Sequence, residues 1–274
     1  MSEYKHEQVR SRNEPFAQRT ATRIWHEQPS ADNPYIATSA LCQGYDLFEL
    51  MDKRSFVDVF YLLFRGELPS KTEAQLLQTL MVALINPGPR HPATRAAMNV
   101  GVGKTDPVHI LPIATSVLGG QHAGSGEVEQ AMMLFEEYKT TDARDSVARL
   151  LNDIDAAESA QNNPTTLAGF GRHYGGIDVM AQTIAQRFLN LDGAGSSLIW
   201  GNELAKLLEP HGAGWLTTGV AAAVLSDLGF QPRAGACLFQ LLGAPGLLAH
   251  GLELASKPIL AMPFVSDENY VIER

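Results

Sequence analysis

The chain has 274 residues, 45% hydrophobic and 19% charged, which suits a packed core and excludes wholesale disorder. A net charge of −9, with no basic stripe, argues against a nucleic-acid backbone as partner. Cys42 and Cys237 are the two cysteines, far apart and without metal-ligand spacing, as expected of free thiols in a reducing cytoplasm.

Residues 1–15 are charged and aperiodic and read as an arm, with no apolar signal segment, so a cytoplasmic location is expected. No stretch reads as the ~20 apolar residues that span a bilayer, and no membrane partner is expected. Residues 20–25 and 33–42 carry dense β-branched content split by Pro29, Asp32, Asn33 and Pro34, which predicts a short hairpin. From there the pattern is helical. Asp46 and Glu49 form a capping pair ahead of residues 46–51, and residues 55–64 are apolar nearly all round, predicting a buried helix. Ser70 and Glu73 fit a capping box before Leu76, Leu77, Leu80, Met81 and Leu84. Residues 86–92 (NPGPRHP) break that helix, and 108–118 is another buried run closed by Gly119 and Gly120. Helices follow through Met132 and Phe135, over 142–160 with a stop at 162–164, through Ile177 to Phe188, and over 198–208. Residues 215–255 alternate small and apolar residues, predicting close-packed helices with breaks at Gly229 to Pro232 and Gly243 to Pro245.

Three motifs carry possible chemistry. Residues 101–105 (GVGKT) resemble a phosphate loop, but the glycine needed five residues before the triplet is Met98 and no strand precedes it. In Gly119-Gly120-Gln121-His122-Ala123-Gly124 small residues flank one imidazole just before a helix. A neutral His there can donate to a carbonyl becoming an enolate oxygen; a glycine-rich turn with a satisfied His is the plainer reading. Gly169-Phe170-Gly171-Arg172-His173 repeats this character with a guanidinium suited to a carboxylate or ketone, the plainer reading being a connector. Together the two loops predict a cleft for an anionic carbonyl compound. The other histidines, His91 included, show no ligand spacing, and no metal is expected.

With these motifs in view, the chain from Thr22 onward resembles the citrate synthase superfamily, in particular citryl-CoA lyases and the citrate-cleaving part of ATP-citrate lyase. The resemblance is carried by Gly44-Tyr45-Asp46-Leu47-Phe48-Glu49-Leu50, by Tyr61-Leu62-Leu63-Phe64-Arg65-Gly66-Glu67-Leu68-Pro69-Ser70 and by the segment 118–127. Gly169-Phe170-Gly171, Asp227-Leu228-Gly229 and Pro245-Gly246-Leu247-Leu248-Ala249-His250 complete it. It implies an all-α fold with a short N-terminal β-hairpin. A large helical domain would span residues 1–139 and 231–274, and a smaller mobile one 140–230. It also implies a homodimer, a coenzyme A thioester and a keto or hydroxy acid as substrates, and a carbon–carbon bond made or cleaved alpha to the thioester.

Carried over by position, His122 matches the enolate-stabilising His. Arg172 stands where a second His is expected, with His173 one place late, and Gly169 and Gly171 belong to the ligand-binding loop. Thr218 occupies the place of the catalytic Asp, Gly243 that of a carboxylate-binding Arg, and Asn86-Pro87 that of an Asp-His pair. A threonine hydroxyl is no general base near neutral pH unless another base activates it. Glu127 and Asp178, close to the two loops in sequence, are the candidate carboxylates. The readings that follow are an enzyme on an unusual acyl-CoA or keto acid, citryl-CoA cleavage as such, and a catalytically idle relative that binds a CoA-like ligand or partners an active homologue.

Overall fold

The structure, a computed structural model, describes residues 20–140, 142–143, 167–263 and 265–272. The chain divides into two compact units between Leu68 and Pro69. In the first, β1 (Trp25–Pro29), β2 (Ala37–Cys42) and β3 (Tyr45–Asp46) form an antiparallel sheet in that order, with Trp25 opposite Cys42 and Leu41 opposite Asp46. The expected hairpin is present, but its first strand begins at Trp25 rather than at residue 20. Pro29 ends that strand instead of separating two strands, because its missing N–H falls at the last, shifted position of the ladder. The connection is held by local side-chain bonds: Asn33 N–H donates to Ser30 Oγ (3.0 Å) and Tyr35 N–H to Asn33 Oδ1 (3.0 Å).

The carboxylate of Asp46 caps α1 (Leu47–Lys53) by accepting from Glu49 N–H at 3.0 Å, while Glu49 itself pairs with Lys53 rather than back to the cap. Ser55 and Asp58 form a capping box on α2 (Phe56–Arg65). Cys42, Leu50 and Leu62 make the core of this unit with Tyr45, Val59 and Leu68. The sequence predicts burial all round α2; only Phe60, Tyr61 and Leu62 are buried, and Phe56 is 75% exposed. An apolar run reports what a face is able to bury, whereas neighbours decide what it does bury.

The second unit begins with the predicted box, Glu73 N–H to Ser70 Oγ (3.2 Å) and Ser70 N–H to Glu73 Oε2 (2.8 Å), opening α3 (Lys71–Leu84). After it come α4 (Pro92–Val102), α5 (Ile110–Leu118), α6 (Ser125–Tyr138), the short strand β4 (Phe170–Gly171), α7 (Val179–Leu189) and α8 (Ser196–Leu208). The strand β5 (Gly214–Trp215) pairs antiparallel with β4, and α9 (Thr217–Asp227) and α10 (Pro232–Ala255) complete the order. Apart from Asp142 and Ala143, the helix predicted over 142–160 and its stop lie outside the described residues. In α5 the predicted burial holds for one stripe, Ile110, Ala114 and Leu118, while Ile113 and Val117 are exposed.

Gly243 to Pro245 does not break the chain: α10 runs through Pro245 without interruption. Proline has no N–H to donate, and the next one, on Gly246, bonds Ile85 O (2.9 Å) at the end of α3 instead of a carbonyl within the helix. Packing on both sides outweighs the two lost rungs. A Cβ on Gly101 of α4 would stand 2.1 Å from Gly251 O, so this α4–α10 approach requires glycine at 101, while a Cβ on Gly251 would stand 2.5 Å from Ile110 of α5. The remainder of GVGKT is structural too, since Lys104 Nζ donates to Ala255 O (2.7 Å) and Lys257 O (2.5 Å) at the end of α10. By length and hydropathy α10 would pass for a membrane-spanning helix, contrary to the expectation that no segment would. Half of its most apolar window is buried inside the molecule, as in a core helix.

Every residue from 218 to 225 in α9 is buried, so this helix is apolar on all sides. Beside it Phe135, Phe170, Trp200 and Trp215 form one aromatic cluster: Phe170 stacks on Trp215 at 4.5 Å, and Phe135 meets Trp200 edge-on at 5.9 Å. Asp227, at the end of α9, accepts the N–H groups of Gly195 (3.1 Å), Ser197 (2.8 Å) and Leu198 (3.1 Å). It thereby caps α8, whose own N-cap is a glycine with no side chain to offer.

Candidate functional site

The loop before α6 is built around Ala123. Its backbone lies in the left-handed region (φ +52°), a conformation that costs a residue with a Cβ roughly 1–2 kcal/mol. The peptide groups on both sides of this residue are held. Ala123 N–H donates to Glu127 Oε2 at 2.9 Å, and Ala123 O accepts from His91 Nε2 at 3.0 Å. His91 in turn is the N-cap of α4, its Nδ1 accepting from Ala93 N–H at 3.1 Å. That bond places the ring proton on Nε2, so the imidazole is neutral with both nitrogens engaged. His122, next to the strained residue, is exposed. Ala123→Gly is expected to raise stability by about 0.5–1 kcal/mol, strain relief exceeding the added entropy of the unfolded chain, as read by denaturant unfolding.

Glu127, in the first turn of α6, is only 3% exposed. Its second oxygen, Oε1, accepts from Gly169 N–H at 3.2 Å, so one carboxylate ties the His122 loop to the loop that precedes β4. Thr218, also 3% exposed, brings its hydroxyl beside that carboxylate, close enough to favour the ionised form but short of a well-formed hydrogen bond. Burial pushes the Glu127 carboxyl above the usual carboxylate range; the two N–H donors, Thr218 and His122 oppose that rise. The approach of Thr218 depends on glycine: a Cβ on Gly219 would lie 2.0 Å from Gly169 O, and Leu216 N–H donates to that same oxygen at 2.9 Å.

The second loop is arranged differently. Arg172 follows β4, and its Nε (3.2 Å) and Nη2 (2.8 Å) both donate to His211 O. His173 and Gly176 exchange backbone bonds across a two-residue turn in which Tyr174 (φ +49°) and Gly175 (φ +83°) are left-handed, and the exposed His173 ring packs edge-on against Tyr174 at 4.5 Å. Of the residues picked from sequence, His122, Thr218 and Gly169 therefore gather about Glu127, and Gly171 pairs with Gly214 in the short sheet. Asp178 does not join them: its carboxylate caps α7 by accepting from Ala181 N–H at 2.9 Å. A Cβ on Gly243 would stand 3.1 Å from the Leu118 side chain and 3.6 Å from that of Pro87. Among the described residues there is no group of three His, Cys, Asp or Glu side chains able to hold a metal.

Sequence reading missed His91. The signal was present, since His91-Pro92 is a cap residue followed by proline at the first helical position, five residues after the Asn86-Pro87 pair to which the missing His had been assigned. Asn86 has its own bonds, accepting from Gly88 N–H (2.8 Å) and facing His250 Nε2 (3.2 Å). Burial holds the His91 pKa below the ordinary 6.5, helped by nearby His122 and opposed by Ala123 O. The unfolded chain thus takes up this proton first as pH falls. The stability that neutral His91 contributes is complete above about 6.5 and is lost as pH drops toward the folded-state value. In His91→Asn, which keeps a cap residue but removes the imidazole, the stability deficit relative to the parent is expected to shrink over that window; urea unfolding at several pH values reads it.

No protein-family model matches this chain, and no curated protein matches it. Solved structures do. Citryl-CoA lyase from Hydrogenobacter thermophilus superposes with a TM-score of 0.72 at 23% identity, covering 93% of this chain and 94% of that one. Citrate synthase from the archaeon Thermoplasma acidophilum, in a ternary complex with carboxymethyl coenzyme A and oxaloacetate, gives 0.58 at 20% identity over 80% of this chain and 58% of that one. ATP citrate lyase from Methanothrix soehngenii, bound to citrate and coenzyme A, gives 0.64 at 15% identity over 93% of this chain and 43% of that one. The chain therefore has the helical fold of the citrate synthase superfamily. Within that fold a buried glutamate, Glu127, stands beside a buried threonine, Thr218.

Proposed function

We propose that this protein is an enzyme that makes or cleaves a carbon–carbon bond alpha to a coenzyme A thioester, on a keto or hydroxy acid other than plain oxaloacetate or citrate. The observation that carries this reading is the Glu127 carboxylate, held by Ala123 N–H and Gly169 N–H beside Thr218. It supplies a base where the threonine position alone has none. In this scheme His122 donates to the thioester oxygen as the enolate forms. Arg172 and His173 serve the acid substrate, and the Gly169–Gly171 loop lets backbone approach the ligand. The superposed enzymes from Hydrogenobacter and Thermoplasma, a lyase and a synthase, support the reaction class. A homodimer with a smaller domain over 140–230 belongs to the same proposal.

Purified protein mixed with acetyl-CoA and a panel of keto acids, and with citryl-CoA, tests it by release or consumption of coenzyme A. Turnover with at least one pair is expected. One observation favours the idle alternative: the Arg172 fork lies on the His211 carbonyl. Coenzyme A binding without turnover on any pair would establish that alternative instead.

A further inference from the structure

The His91 ring makes two bonds of different kinds. Its Nδ1 accepts from Ala93 N–H at 3.1 Å and caps α4, while its Nε2 donates to Ala123 O at 3.0 Å. Serine, asparagine or aspartate would serve the cap as well. Those short side chains end about where Nδ1 lies, so capping accounts for only half of the imidazole. The other half falls on a costly residue. Ala123 is left-handed (φ +52°), where glycine would be at ease, yet the chain carries a side chain there. Strain of this kind persists only where the surroundings hold it, and it gathers at functional sites. Glu127 Oε2 takes the N–H of Ala123, and His91 takes its carbonyl.

We infer that His91 is a positioning residue for the His122 loop: it keeps residue 123 left-handed and so fixes where the neighbouring His122 presents its imidazole. His91 is half-buried at the head of α4, whose far end is locked by the approach of Gly101 to Gly251 O. His122, by contrast, is exposed and follows two glycines within three residues. A rigid helix thereby supplies the anchor that the glycine-rich loop lacks. With the peptide groups on both sides of residue 123 held, rotation into the right-handed region would break the bond to His91. Once released, the residue prefers that region by about 5- to 30-fold. The inference rests on the function proposed above for the role of His122 and adds the residue on which that role depends. His91 itself touches no reacting atom.

Two variants separate the roles of the ring. His91→Asn keeps an acceptor at the cap and loses the reach to Ala123, whereas His91→Gln keeps the reaching N–H and loses the cap. On a substrate pair that turns over, His91→Asn is expected to lower kcat by about 5- to 30-fold with the KM for the thioester unchanged. His91→Gln is expected to keep most of kcat while unfolding at lower denaturant concentration. Adding Ala123→Gly to His91→Asn should restore kcat, because glycine is left-handed without the cost. In alanine-labelled protein without substrate, the carbon-13 shifts of Ala123, which follow φ, are expected to leave the left-handed range in His91→Asn and to stay in it in His91→Gln. A His91→Asn kcat equal to that of the parent, or one that Ala123→Gly fails to restore, overturns the inference and leaves the proposed reaction standing. Ala123 shifts that remain left-handed in His91→Asn overturn it whatever the rates. Absence of turnover by the parent on every pair overturns the proposed reaction, and the Ala123 shifts then decide by themselves whether His91 holds the loop.

Discussion

Replacing Glu127 by Gln is expected to lower turnover by about 10²–10⁴-fold, the range spanned by a positioned general base. The side chain keeps its shape, so the loss reports charge rather than packing. Glutamine has one acceptor oxygen for two buried N–H donors, those of Ala123 and Gly169, and turns its amide group toward the other. The unpaired donor adds roughly 1–3 kcal/mol of destabilisation. Burial raises the Glu127 pKa, so the parent rate should climb with pH along a limb lying above the ordinary carboxylate value of 4.5, and that limb should be missing in Glu127→Gln. The same shift has a cost in stability. The unfolded carboxyl ionises first, so the parent loses stability as pH rises from about 4.5 through the folded value. A Gln variant with full turnover and an unchanged acid limb would remove Glu127 from the mechanism.

Phe135→Ala is expected to cost about 3–5 kcal/mol. Phe135 is fully buried and touches Phe170, Trp200 and Trp215, so the cavity it leaves is walled by rings that cannot shift far. Two of those rings belong to β4 and β5, and Gly169, which donates to Glu127, precedes β4 directly. Loosening the cluster should therefore disturb the carboxylate as well as the fold. Denaturant unfolding reads the first effect. The second appears as a shift of the acid limb, which an equally destabilising Leu62→Ala in the first unit should leave in place. Equal pH profiles for the two variants would show that the aromatic cluster supports the fold alone.

Capping chemistry was the most legible layer of the sequence. Ser70 with Glu73 and Asp46 ahead of α1 act within four residues, where backbone geometry leaves few alternatives. The overall architecture was legible through six short segments in a fixed order, and the superposed citryl-CoA lyase covers 93% of the chain. Burial was not. The apolar runs of α2 and α5 predict full burial, yet Phe56, Ile113 and Val117 are exposed, because a run records composition while exposure depends on which element packs alongside. Pro245 was misread as a break for a related reason: the bonds missing inside α10 are compensated by α3 and α4, which lie far away in sequence.

The candidate site divides along the same line. That His122 sits in a glycine-rich loop and that residue 218 is a threonine are properties of the sequence, since each needs only the identity of one residue within a local motif. Which carboxylate lies beside Thr218 is a matter of distance. Glu127 and Asp178 are equally near their loops in sequence, and only the folded chain assigns one to helix capping and brings the other against Gly169 and Thr218, residues 42 and 91 positions away in the chain. The physical reason is the close contact of Gly169 with Gly219, an approach between backbones that no local pattern of residues encodes.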